Sequence, residues 1–308
     1  MRSIWAGISS ALLAIGLVTS SWAQNGLERF EKEIKPQFEL KTFTYASAEP
    51  LGKSGFILND VVAVVPANAA TSDKETTVKV KKVTVEEIDF DRMKKDAKAD
   101  EGLRFAKLKL EGMTGDDEIF AALQPYGVPK VPVDIALDYR IDPTAKVLDL
   151  KTLQVDLSGQ AKITLSLVMD GISDKSDMAG AKDDGKLRTA SLTLDDTGLL
   201  AKLVPALAQE QGVSADEMVK ASRLTISEFV NGQGPETLKA LDAIASFVAD
   251  WKAPKGPLVL GLKPAKTAGL SDLAKIMMPN ALSTEFGFTA SYPGTRAGAA
   301  ASGAEAAK

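Results

Sequence analysis

From Val133 the chain alternates apolar and polar positions: Val133, Ile135, Leu137 and Tyr139 are separated by Asp134, Ala136 and Asp138, with Arg140 next. A period of two puts each set on its own face of a strand. Asp142, Pro143, Thr144 and Ala145 supply a turn, which sets Tyr139 opposite Leu148 and Leu137 opposite Leu150 on a returning strand. Further along, the apolar set changes phase to Leu153, Val155 and Leu157, so one extra residue near Lys151 and Thr152 is needed to place Ile135 opposite Leu153. A third strand, turned at Ser158 to Gln160, demands the same bulge: Val155 meets Ile163, Leu153 meets Leu165, and Leu150 meets Leu167. Two neighbours requiring one bulge predict an antiparallel meander over residues 133–169.

The flanking segments extend this picture. NGLERFEKEIKPQ predicts a short helix stopped near Pro36, with Leu27, Phe30 and Ile34 on one side. FELKTFTY, GFILNDVVAVV, TTVKVKKVTVEEIDF, LRFAKLKLEGM and LRTASLTL are rich in β-branched, aromatic and leucine residues and predict strands. Two of them change phase, from Phe38 and Leu40 to Phe43 and Tyr45, and from Leu103 and Phe105 to Leu108 and Leu110, which predicts bulges and hence a curled sheet. A helical block follows. Thr197 is positioned to cap LLAKLVPALAQEQ, with a kink at Pro205. Ser214 and Glu217 form a capping box, and Pro235 opens a helix whose stripe is Leu238, Leu241, Ile244, Ala245 and Val248. Lys255 to Lys263 returns to strand, Ser271 caps a last short helix, and FGFTASY closes the fold.

The expected fold is therefore α+β: a long twisted antiparallel β-sheet (meander) with a three-helix insertion packed against it. The expected organisation is a signal peptide over 1–23 and a single α+β domain over 24–292. That domain is β-rich over 37–195, helical over 196–252, and returns to strands and a short helix over 256–292. A disordered tail covers 293–308.

Composition narrows the chemistry. MRSIWAGISSALLAIGLVTSSWA has Arg2, an apolar run and a small-x-small ending, which predicts cleavage after Ala23 and a periplasmic location. There is no cysteine and no histidine. Triad hydrolysis, thiolate chemistry and His-ligated metals are thereby excluded. The formal net charge of -4 becomes -5 without Arg2, with both signs spread along the chain, so nucleic acid is not expected as a partner. No cofactor is expected.

Three constellations remain. In the register above, Asp138 and Asp149 lie opposite one another, the arrangement a cation site or an acid/base pair would need; Arg140 and Lys151 on the same face neutralise them equally well. Asp134, four residues from Asp138, is ~13 Å away at ~3.3 Å per residue and cannot share an ion with it. The Asp170–Gly185 stretch offers Asp170, Asp174, Asp177, Asp183 and Asp184 as oxygen ligands for calcium, without EF-hand spacing and diluted by Lys175, Lys182 and Lys186. Ser271 and Lys275 are one residue too far apart for an S-x-x-K nucleophile. The third constellation is the apolar face itself: Ile135, Leu137, Tyr139, Leu148, Leu150, Leu165 and Leu167 line an inner surface able to receive an apolar ligand.

VPVDIALDYRIDPTAKVLDLKTLQVDLSGQAKITLSLVMDGI and the later GPLVLGLKPAKTAGLSDLAKIM resemble secreted proteins of unknown function from alphaproteobacteria. More loosely they resemble periplasmic proteins carrying L-D-Y-R-x-D-P…L between strands. The resemblance spans most of Val61 to Phe288. It implies a periplasmic, β-rich protein and transfers no catalytic residue. The expectation is a non-enzymatic envelope protein that binds or scaffolds, its partner a lipid or another envelope component. The alternatives are a carboxylate-dependent, glycosidase-like hydrolase and a divalent-cation-binding protein.

Overall fold

The 133–169 meander forms the middle of a 12-stranded antiparallel sheet in the computed structural model of the chain. The structure describes residues 25–67, 74–93, 102–116, 123–174, 185–269, 272, 275 and 281–294. The leader 1–23, Asp177, Asp183, Asp184, Ser271 and the tail from 295 lie outside them. The strands are β1 Thr42–Thr44, β2 Ser47–Leu51, β3 Gly55–Val65, β4 Thr76–Ile88, β5 Phe105–Gly115, β6 Val133–Asp142, β7 Val147–Leu157, β8 Ala161–Asp170, β9 Lys186–Asp196, β10 Leu258–Leu262, β11 Ala268–Gly269 and β12 Thr289–Ser291. Their order across the sheet is β1, β3, β4, β5, β6, β7, β8, β9, β10, β12; β2 pairs the other half of β3, and β11 pairs β9. Sequence pattern missed β2. Its residues, SAEPL, lack the alternation of a core strand, and Pro50 suits an edge.

The meander registers differ in an instructive way. Between β7 and β8 the pairs Val155/Ile163, Leu153/Leu165 and Leu150/Leu167 form as expected. Between β6 and β7, Tyr139 faces Leu150 and Ile135 faces Val155, two residues beyond the expected partners, and Leu137 faces Leu153, three beyond because the bulge intervenes. The hairpin turn is shifted because Lys146 adopts φ +52 and Asp142 pairs Val147, while the Asp142 carboxylate accepts from the N–H groups of Thr144 and Ala145 at 2.9 Å. A slip of two preserves the facing of every side chain. The extra residue is Lys151, as expected, since Asp138 pairs Thr152 and Tyr139 pairs Leu150. The bulge expected within the early part of β5 instead lies on its neighbour, at Glu86 of β4, and Phe105 turns to the opposite face beneath the Arg140 guanidinium.

Helix α1, Gly26–Arg29, is capped by the Asn25 side chain, which accepts from the Glu28 N–H at 2.9 Å. It continues as a π turn, Phe30–Ile34, which buries Phe30 and Ile34 over β3 and β4. Three helices lie between β9 and β10, which are themselves paired: α2 Leu200–Glu210, α3 Ala215–Glu228 and α4 Pro235–Ala249. A short α5, Ala281–Thr284, precedes β12. The N-cap position of α2 is Leu199, which makes no side-chain cap; the carboxylate of Asp196, four residues before the helix, accepts from the Leu200 N–H at 3.0 Å, and Thr197, the expected cap, is exposed. The capping box of α3 forms, with the Glu217 N–H donating to Ser214 Oγ at 3.2 Å and the Ser214 N–H donating to the Glu217 carboxylate at 2.8 Å. Ser214→Ala is expected to cost about 1 kcal/mol, and Ser214→Asp to retain most of it, measured by urea denaturation.

The stripe expected to bury α4 is not its deepest face. Thr237, Ala240 and Phe247 are buried toward β12 and α5, because small side chains permit close approach and Thr237 donates to Ser283 Oγ at 2.8 Å. Leu238, Leu241 and Ala245 instead line the groove against α3.

Candidate functional site

Strand pairing carries the apolar face far beyond the meander. One row runs Phe56, Val85, Leu108, Leu137, Leu153, Leu165, Leu192, Leu260 and Ala290, each residue opposite the next. A second runs Leu58, Val83, Leu110, Ile135, Val155, Ile163, Leu194 and Leu258. A third runs Ile88, Ala106, Tyr139, Leu150, Leu167, Ala190 and Leu262, and a fourth Ile141, Leu148, Met169 and Leu187. Bulges at Lys151 and Arg188 keep the rows in phase where a strict alternation would break them. All of Ile135, Leu137, Tyr139, Leu148, Leu150, Leu165 and Leu167 therefore share one face. Leu192, Leu194, Leu258 and Leu260 join them from strands whose own alternation carried the signal.

Burial along the rows is uneven. At one flank Phe30 and Ile34 close over Phe56, Leu58 and Val85, which are 4, 2 and 5 % exposed. At the other, Phe247 of α4 packs edge-on against Tyr292, two positions beyond Ala290, with ring centroids 5.2 Å apart. Between the flanks the predicted residues are only half-buried, and Leu153, Ile163 and Leu192 remain 36, 38 and 36 % exposed. The middle of the rows thus leaves a contiguous run of half-exposed aliphatic side chains. Tyr139 sits at its margin, with burial and the nearby Asp89 charge raising its pKa and its hydroxyl donating to the Leu103 carbonyl at 3.1 Å.

Beneath the π turn lies a half-open apolar cavity of about 270 Å³, bounded by Phe30, Phe38, Phe56, Leu58, Val61 and Ala63 among others. Val83, Val85 and Leu110 belong both to this cavity and to the rows, so the two are continuous.

The carboxylate pair expected across β6 and β7 does not form. Asp138 faces Lys107 and Thr152, and Asp149 faces Arg140 and Val168, because of the two-residue shift in register. Asp134 and Asp156 stand opposite instead. Asp134 accepts from the Gly112 N–H at 2.6 Å, and Asp156 pairs with Lys162 at 2.8 Å. In the acidic stretch, Asp170 is bound by Arg188 and its pKa is lowered by that hydrogen bond, while Asp174 pairs with Arg92 at 2.6 Å. Among the described residues, no group of three or more acidic side chains is placed to hold a metal ion.

An ion pair with a buried carboxylate lies beside α1. Asp89, 1 % exposed, accepts from Arg104 Nε at 2.6 Å, from its Nη2 at 2.8 Å and from its backbone N–H at 3.1 Å. Burial pushes the Asp89 carboxyl upward, but the Arg104 hydrogen bonds outweigh it and leave the pKa below the ordinary value.

Fold and face together define an open antiparallel sheet that presents an aliphatic surface between two helix-covered flanks. A family described only as an uncharacterized protein matches residues 149–293, from β7 through the helical insertion and β12. No curated protein matches the chain. No described helix is long and apolar enough to cross a membrane.

Proposed function

We propose that the chain is a non-enzymatic protein of the periplasmic envelope that holds a lipid or other amphiphile on the aliphatic face of its sheet. The observation that carries this reading is the exposure of Leu153, Ile163 and Leu192 in the middle of apolar rows whose flanks are covered. Removing apolar surface from water stabilises by roughly 25 cal/mol per Å², so a hydrocarbon ligand gains most where aliphatic side chains are contiguous and wet. The leader-like sequence of residues 1–23 supports the compartment, where lipids are abundant. Protein recovered from its native envelope is expected to carry lipid detectable by mass spectrometry and to brighten N-phenylnaphthylamine. Leu165→Lys, placing a charge at the centre of the first row, is expected to weaken dye binding at least about tenfold with little loss of stability. Wild-type protein with neither bound lipid nor dye binding would sink the reading.

A further inference from the structure

We infer that the cavity beneath the π turn is the seat for the end of a saturated acyl chain whose remainder lies along the aliphatic rows, an inference that rests on the lipid reading above. The cavity is bounded by Phe30, Phe38, Phe56, Leu58, Val61 and Ala63, with the remaining lining residues also apolar. It therefore offers a ligand no side-chain hydrogen-bonding group, and a polar head inside it would lose its hydration without compensation. Dry apolar cavities of ~150 Å³ accept a benzene ring, and this one is nearly twice that size. A compact hydrocarbon could fill it alone. The shared residues Val83, Val85 and Leu110 make a linear chain the better fit, because its tail can occupy the cavity while its stem continues onto Leu108, Ile135 and Leu137. The head group then remains out on the open part of the sheet, in water.

The test is a chain-length profile. Saturated fatty acids from octanoic to stearic, and lysophosphatidylethanolamines of the same chains, displace N-phenylnaphthylamine from wild type, Ala63→Phe, Phe38→Ala and Leu165→Lys. Ala63→Phe fills the cavity and is expected to weaken the longest chains about tenfold, the worth of roughly two methylene groups, while leaving octanoate unchanged. Phe38→Ala enlarges the cavity and shifts the optimum toward longer chains, so the assignment stays testable if the first variant does not fold. Both head-group series shift alike, since the cavity acts on the chain end, and their absolute affinities separate a carboxylate from a phosphate head. If Leu165→Lys weakens binding but neither cavity variant alters the profile, the cavity assignment is overturned and the lipid reading stands. If the wild type binds no acyl compound, both are overturned.

Discussion

Phe30→Ala is expected to destabilise the protein by about 4 kcal/mol, the cost of deleting a large aromatic from a packed core. Phe30 is 4 % exposed and stacks on Phe56 with centroids 4.6 Å apart and planes at 24°. It also meets the rings of Phe38 and Phe43 at 6.0 and 6.1 Å. Pairs of this kind add ~0.5–1.5 kcal/mol beyond the area they bury. The site cannot readily collapse around the loss, because a cavity already adjoins the ring and the π turn is tied down outside it. Arg29 pairs with Asp91 at 2.7 Å, and Lys35 donates to the Tyr45 hydroxyl at 2.8 Å. Phe30→Leu should recover roughly half of the loss. Urea denaturation followed by tryptophan fluorescence measures both, and a loss below about 1 kcal/mol for Phe30→Ala would show that the N-terminal helix does not hold the core.

The second large effect is electrostatic. Asp89→Asn is expected to cost about 3 kcal/mol at neutral pH, because it breaks a buried pair and leaves the Arg104 guanidinium without its anion. The figure is at the lower end for buried pairs because the Arg104 side chain keeps 34 % exposure. The effect should depend on pH in one direction only. The folded-state pKa of Asp89 lies below its unfolded value, so the pair contributes fully above the unfolded value of ~3.9 and is lost as pH falls through the folded one. The difference in stability between wild type and Asp89→Asn should therefore narrow as pH falls below about 4. A difference that stays constant across this window would assign the cost to packing rather than to charge.

How much was legible beforehand varies by element. The bulge at Lys151 could be derived because two neighbouring strands independently required it, and the β7–β8 register followed from the three-residue turn Ser158 to Gln160. The β6–β7 register could not be derived to the residue. A shift of two keeps every side chain on its face, so the hydrophobic pattern cannot distinguish the alternatives. Only the backbone of the turn does, through the positive φ at Lys146. The consequence was chemical: it set Asp138 opposite Thr152 and Asp149 opposite Arg140, where the sequence pattern had set the two carboxylates opposite one another. The start of α2 shows the same limit locally: Thr197 is a competent cap by residue type, but the backbone path puts Leu199 at the N-cap and leaves the Leu200 N–H to the Asp196 carboxylate.

By itself the sequence determined the class of fold, the helical insertion between sheet strands, the face to which each meander residue belongs, and the absence of imidazole and thiol chemistry. These follow from residue type and from periods of two and 3.6, which are local properties. The tertiary structure decided which carboxylates meet, that α4 buries Thr237, Ala240 and Phe247 rather than its leucine stripe, and that the apolar rows are covered at both flanks but half-exposed between them. It also decided that a cavity lies under Phe30, where residues far apart in the chain converge. Exposure and cavities depend on how distant segments fill the space between elements, and periodicity specifies a face without specifying what covers it.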